Sequence, residues 1–147
     1  MKKLILLTMA LISIHLNAQT EIQIDTTALK QEVVDLYNKI DRRGTLDQYK
    51  SFFDKSETLH KHIGNKKTLA LWISRMYYRA AKKFNVETPN TSIGKQLADP
   101  YLQPTIRKEY LLKAKEYLIE HYGFYDDESF SALNYALKAV EQEIQSK

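Results

Sequence analysis

The chain has 147 residues, with 22 Lys+Arg against 18 Asp+Glu, ten tyrosines and no cysteine. Without cysteine it forms no disulfide, thiolate zinc site, thiol nucleophile or lipid-modified lipoprotein terminus. The small basic excess does not point to nucleic acid or an anionic membrane as the main partner.

The N-terminus, "MKKLILLTMALISIHLNA", is patterned as a secretory signal. Lys2 and Lys3 form a positive segment, Leu4 to Leu16 an apolar one, and Leu16-Asn17-Ala18 a peptidase site. The apolar run is short for a hydrocarbon core of ~30 Å. An exported chain without a stable membrane anchor is therefore expected in preference to an uncleaved N-terminal anchor. Cleavage after Ala18 also removes Lys2 and Lys3, leaving 20 basic against 18 acidic side chains. Residues 1–18 are expected to be the signal, 19–25 a flexible lead-in and 26–147 one helical domain.

Five helices are expected in the mature chain. In "TTALKQEVVDLYNKIDRRG" Leu29, Val33, Leu36 and Ile40 recur at helical spacing. Asp25, Thr26 or Thr27 can cap its start, and Arg42, Arg43 and Gly44 form a stop signal. Thr45 to Ile63 carries Leu46, Tyr49, Phe53, Leu59 and Ile63 and closes at Gly64. Lys66 to Phe84 is apolar around most of its circumference (Leu69, Leu71, Trp72, Ile73, Met76, Tyr77, Ala80, Ala81, Phe84), so it needs neighbours on several sides and belongs at the centre. Pro104 to Tyr122 opens with a proline suited to a first turn and closes at Gly123. Asp126 to about Gln145 opens on acidic residues and carries the seam Phe130, Leu133, Leu137, Val140 and Ile144.

No strand pattern and no exact repeat occurs, and the helices are longer than those of tetratricopeptide units of about 34 residues. The expected fold is all-α: a single-domain, irregular bundle of five antiparallel-type helices. It divides three plus two at the interruption from Asn85 to Gln103, read as a long crossover loop. All three prolines, Pro89, Pro100 and Pro104, fall in or at the end of that interruption, and Ile93 to Ala98 can form a helical turn within it. A loop beyond about 12–15 residues in a compact domain is usually functional or disordered.

Motifs for chemistry are sparse. His60 and His62 point about 200° apart on a helix and cannot chelate one ion. Glu57 and His60 make an E-x-x-H spacing, but a di-iron bundle needs a second copy and further glutamates. The Asp126-Asp127-Glu128 cluster suits a helix start better than paired catalytic carboxylates. "SIGKQ" lacks the other elements of a phosphate loop. No cofactor, metal or catalytic set is assigned.

Recognition residues are more tangible. Arg75, Arg79, Lys82 and Lys83 fall at i, i+4, i+7 and i+8 on the third helix with Tyr78 beside them, a strip able to meet an acidic surface or simply to be that helix's solvated edge. Tyrosine offers a rigid apolar body and a polar tip, which suits recognition as well as packing between helices. Tyr101, between two prolines, is the expected exposed contact. The function expected is an exported interaction protein that binds another macromolecule in the cell envelope or outside: an inhibitor, immunity-type protein or assembly factor. The alternative is a small-molecule-binding or hydrolytic bundle with a pocket between the third and fourth helices, walled by Trp72, Tyr77 and Tyr110 with His121 or Glu116 as polar groups.

Overall fold

The computed structural model describes residues 24–40, 44–85 and 101–146. The expected signal and lead-in up to residue 23, Arg42, Arg43, Pro89, Ile93 to Ala98 and Pro100 lie outside the described residues. Five α-helices follow one another: α1 (Thr26–Lys39), α2 (Leu46–His62), α3 (Lys67–Lys83), α4 (Pro104–Tyr122) and α5 (Ser131–Gln145). There is no strand among the described residues. The fold is an all-α bundle.

Local chemistry sets the helix ends. Asp25 caps α1 by accepting hydrogen bonds from the Thr27 and Ala28 amides at 2.9 and 3.0 Å. At α2, Thr45 and Gln48 exchange side-chain and backbone bonds in a capping box, which satisfies two otherwise free amides. Pro104 occupies the first turn of α4, where its missing N–H costs nothing, and Gly123 ends that helix in the left-handed conformation at φ 79°.

Two boundaries differ from expectation. α1 stops at Lys39, short of Gly44, because Ile40 leaves the helix to bury its side chain almost completely. α5 begins at Ser131, not Asp126. The Asp126 carboxylate accepts from the Glu128 and Ser129 amides and the Ser129 hydroxyl, and so holds a separate turn ahead of the helix. These bonds favour the charged form and lower the Asp126 pKa below the usual carboxylate value.

Each helix packs on its successor, and the most extensive interface lies between α3 and α4. Contacts along that interface run in opposite senses. The Leu102 amide bonds to the Phe84 carbonyl at 2.9 Å, Ser74 Oγ to the Ala114 carbonyl at 2.7 Å, and His121 Nδ1 to the Lys67 carbonyl at 2.8 Å. The two sides of the proline-bearing interruption therefore share one core, and their ends are already adjacent. Joining such ends needs only a few residues, so the connecting chain is longer than the packing requires.

α3 is the centre of the bundle. Ala70, Ile73, Met76 and Ala80 are fully buried, between α2 on one side and α4 on the other. The alanines let neighbouring backbones approach, while Ile73 and Met76 each contribute about 1.5–3 kcal/mol of burial. Aromatic rings fill the remaining space: Phe53 stacks on Tyr77 at 3.8 Å, and Tyr110 meets both rings edge-on. No buried side-chain nitrogen or oxygen among the described residues lacks a partner. Also among them, no helix is long and apolar enough to cross a membrane.

Two substitutions test this arrangement by urea unfolding. Ile73→Ala should cost about 2–5 kcal/mol, the transfer term plus the cavity left behind. Thr45→Ala, which removes half of the capping box at an exposed site, should cost about 1 kcal/mol.

Candidate functional site

α3 and α5 both lie on α4, and the space between them is a groove. Its walls are Tyr78, Ala81 and Lys82 from α3 and Ala132, Tyr135, Ala136 and Ala139 from α5; its floor is Arg107 and Leu111 from α4. Ala132, Ala136 and Ala139 fall at i, i+4 and i+7, one face of α5. Their short side chains leave the groove open, with a volume of about 290 Å³. It continues toward Arg75, Leu118 and Tyr122 as a second depression of about 220 Å³. Tyr135 stands on the α5 rim, 77% exposed.

The candidate recognition residues divide around this groove. Arg75, Tyr78 and Lys82 line it, and Arg79 is exposed on the adjoining strip. The Lys82 ammonium sits 5.5 Å from the Tyr78 ring centroid, a cation–π contact at the edge of solvent. Neither Arg75, Arg79 nor Lys82 has a carboxylate partner among the described residues.

Lys83 departs from the expected strip. At 100° per residue it lies about 80° around the helix from Arg75, on the side away from Tyr78. There Nζ donates to the Gly44 carbonyl at 2.7 Å, so it ties the end of α3 to the segment before α2. Tyr101 is half-buried rather than freely exposed, and its hydroxyl donates to Glu143 at 3.4 Å. That contact sets it beside Glu143, near the C-terminal end of α5.

Sequence reasoning missed Arg107. Its side chain is buried in the groove floor, where Nε donates to the Leu102 carbonyl at 3.2 Å and Nη2 pairs with Glu143 of α5. This pair pins α5 across the start of α4 and so sets the width of the groove. Nothing in the local sequence couples residues 36 apart.

A second polar cluster joins α2, α3 and α4 on the opposite side. Glu57 Oε1 accepts from the Tyr77 hydroxyl at 2.7 Å and from Lys113 Nζ at 3.3 Å. His60 Nε2 lies 2.9 Å from Glu120, and the His60 ring meets Tyr117 edge-on at 5.2 Å. The E-x-x-H pair of α2 thus faces α4, each member engaged with a partner. Among the described residues, no group of three or more His, Asp or Glu side chains is arranged to hold a metal ion.

Burial, then the hydrogen bond to Glu57 and its negative charge, push the Tyr77 hydroxyl well above the ordinary tyrosine pKa. Tyr117 rises by burial first and the charge of Glu57 second, and Tyr110 mainly by burial. At neutral pH these tyrosines stay protonated; Tyr77 donates to Glu57, and all three rings pack together at the interface.

The expected pocket between α3 and α4 does not form around its proposed walls. Tyr77 and Tyr110 touch each other and fill the interface, with ring centroids 5.2 Å apart. Trp72 turns instead toward α1, stacked on Tyr37 at 4.5 Å. Of the proposed polar groups, His121 is bonded to the Lys67 carbonyl and Glu116 is exposed.

In comparisons with known proteins, the chain matches no family model, no curated protein and no solved structure.

The raised tyrosine pKa values set a pH dependence. A group whose pKa is higher in the folded state contributes stability that is complete below its unfolded pKa and lost as pH rises above it. Thermal stability should therefore be level from pH 8 to about 9.5 and fall above pH ~10, the unfolded tyrosine value. Tyr77→Phe should make that fall shallower. Absorbance titration at 295 nm should separate a late-ionising tyrosine class that shrinks in the same variant.

Proposed function

We propose that this protein is an exported helical binding module that uses the groove between α3 and α5 to engage an acidic segment or surface of another macromolecule. Export is read from the three-part N-terminal pattern, and an exported chain would meet its partner in the cell envelope or the surrounding medium. The observation that carries the binding surface is the strip Arg75, Arg79 and Lys82. It is exposed, lacks carboxylate partners among the described residues, and runs beside a groove lined by Tyr78 and Tyr135.

The chemistry of such a contact is ordinary. Arginine and tyrosine are enriched where binding energy concentrates, since a guanidinium forks two hydrogen bonds to a carboxylate while a ring buries area at low entropic cost. The alanine face of α5 gives an incoming segment room to reach the Leu111 floor. Arg107 is already committed to Glu143, so it holds the groove's shape and leaves recognition to the rim.

Two measurements test the proposal. Intact mass of the exported form should correspond to a chain beginning at Gln19. A photo-crosslinker at Tyr135 should capture a discrete envelope or extracellular partner, and Arg75→Glu with Lys82→Glu should cut that capture at least about tenfold, with wild-type capture weakening as salt rises. Both substitutions sit on the surface and should change stability by no more than about 0.5 kcal/mol. Capture that is indifferent to charge reversal and salt would contradict the proposed surface.

A further inference from the structure

A separate cleft lies on the other flank of α3. α1 and α3 both pack against α2, and the Tyr37–Trp72 stack bridges them. Toward the first turns of the two helices this bridge is absent, and a half-open cavity of about 450 Å³ remains. Its volume falls within the range of about 300–1,000 Å³ typical of small-molecule sites.

The walls of this cavity are almost wholly apolar. Val33, Leu59 and Leu69 form the buried floor, while Val34, Ile63 and Trp72 form the half-exposed sides. The spacing in sequence explains the alignment: Val33 and Val34 share a face with Lys30, Leu59 with Ile63, and Leu69 with Trp72. The Trp72 ring is held rigidly by its stack on Tyr37, so one wall is fixed before any ligand arrives.

Polarity is confined to the mouth. Lys30, Asn65 and Thr68 stand there exposed, without a hydrogen-bond or ion-pair partner among the described residues. Among the described residues, no carboxylate lines the cavity. The first turn of α3, which begins at this mouth, has neither a side-chain cap nor an acidic residue, so its positive end is uncompensated. An apolar slot with a cationic rim complements one ligand shape: a flexible hydrocarbon tail ending in a negative charge.

We propose that the α1–α2–α3 cleft binds a single-chain amphiphile with an anionic head group, the tail against Leu59, Leu69 and Trp72 and the head beside Lys30. The slot takes the tail because hydrocarbon buried against its apolar walls is removed from water. The rim selects the head because the ammonium and the free polar groups of Asn65 and Thr68 would meet an anion without displacing an existing partner. This site is independent of the α3–α5 groove and shares no residue with it.

Trp72 is the only tryptophan in the chain, so it reports on the cleft without labelling. Titrating the purified protein with dodecanoate below its micelle concentration should give a saturable change in Trp72 emission. Lys30→Glu, at an exposed position, should leave the fold intact and weaken dodecanoate by about five- to tenfold while changing dodecanol by less than about twofold. Val34→Phe, which fills the slot from its half-exposed side, should abolish the response to both compounds, with circular dichroism confirming the fold. Absence of saturable change in wild type overturns the site. A response to both compounds that Lys30→Glu leaves untouched overturns the anionic head group.

Discussion

One constraint organises the molecule: α3 is apolar around most of its circumference and must be covered on more than one side. A helix with a single apolar face is satisfied by one neighbour. The buried apolar residues Met76, Ile73, Tyr77 and Ala81 spread over about 140° of the helix, more than one neighbour covers, so α2 and α4 close on α3 from two directions. α1 then covers the remaining face of α2, and α5 that of α4. The order of packing follows the order of the chain, which keeps contacts local and loop-closure costs small.

Both surface features follow from that order. α1 and α5 are held by α2 and α4, and neither packs broadly against α3, so each leaves a gap alongside the central helix. On the α5 side the gap has alanines on one wall and is bordered by the solvated strip of α3. Arg75, Arg79 and Lys82 occupy that strip because it is the part of α3 that no neighbour covers. On the α1 side the gap is apolar because it opens between faces that also contact α2. Polar pairs between helices brace the assembly: Arg107 with Glu143 across α4 and α5, and Glu57 with Tyr77 and Lys113 across α2, α3 and α4. Breaking one partner of the buried Arg107 pair would leave an uncompensated charge, a costlier event than loss of an exposed ion pair.

Much of this architecture is legible in the sequence. Apolar periodicity places all five helices and the central position of α3, because both depend on spacing within one segment. The ends of α4 are legible too, since Pro104 and Gly123 act through their own backbone conformations. The stop of α1 is not, because the burial of Ile40 overrides the arginine–glycine signal four residues on. Nor is the start of α5, where Asp126 has a choice between capping a helix and closing a turn and takes the turn. The site was harder. Spacing alone identifies Arg75, Tyr78, Arg79 and Lys82 as one strip, but Lys83, which meets the same spacing rule, points around the helix to Gly44. Tyr101, Arg107 and Glu143 come together only through tertiary packing, and Trp72 turns to α1 because Tyr37 offers it a ring to stack on.

Native-state hydrogen exchange tests the central role of α3 most directly. If α3 is the element on which the others depend, its amides from Ile73 to Ala80 should open only with global unfolding and exchange most slowly of all. α1 and α5, each fixed mainly to one neighbour, should exchange through smaller openings at lower free energy. Protection in α1 or α5 equal to the global value, with α3 exchanging sooner, would contradict the account.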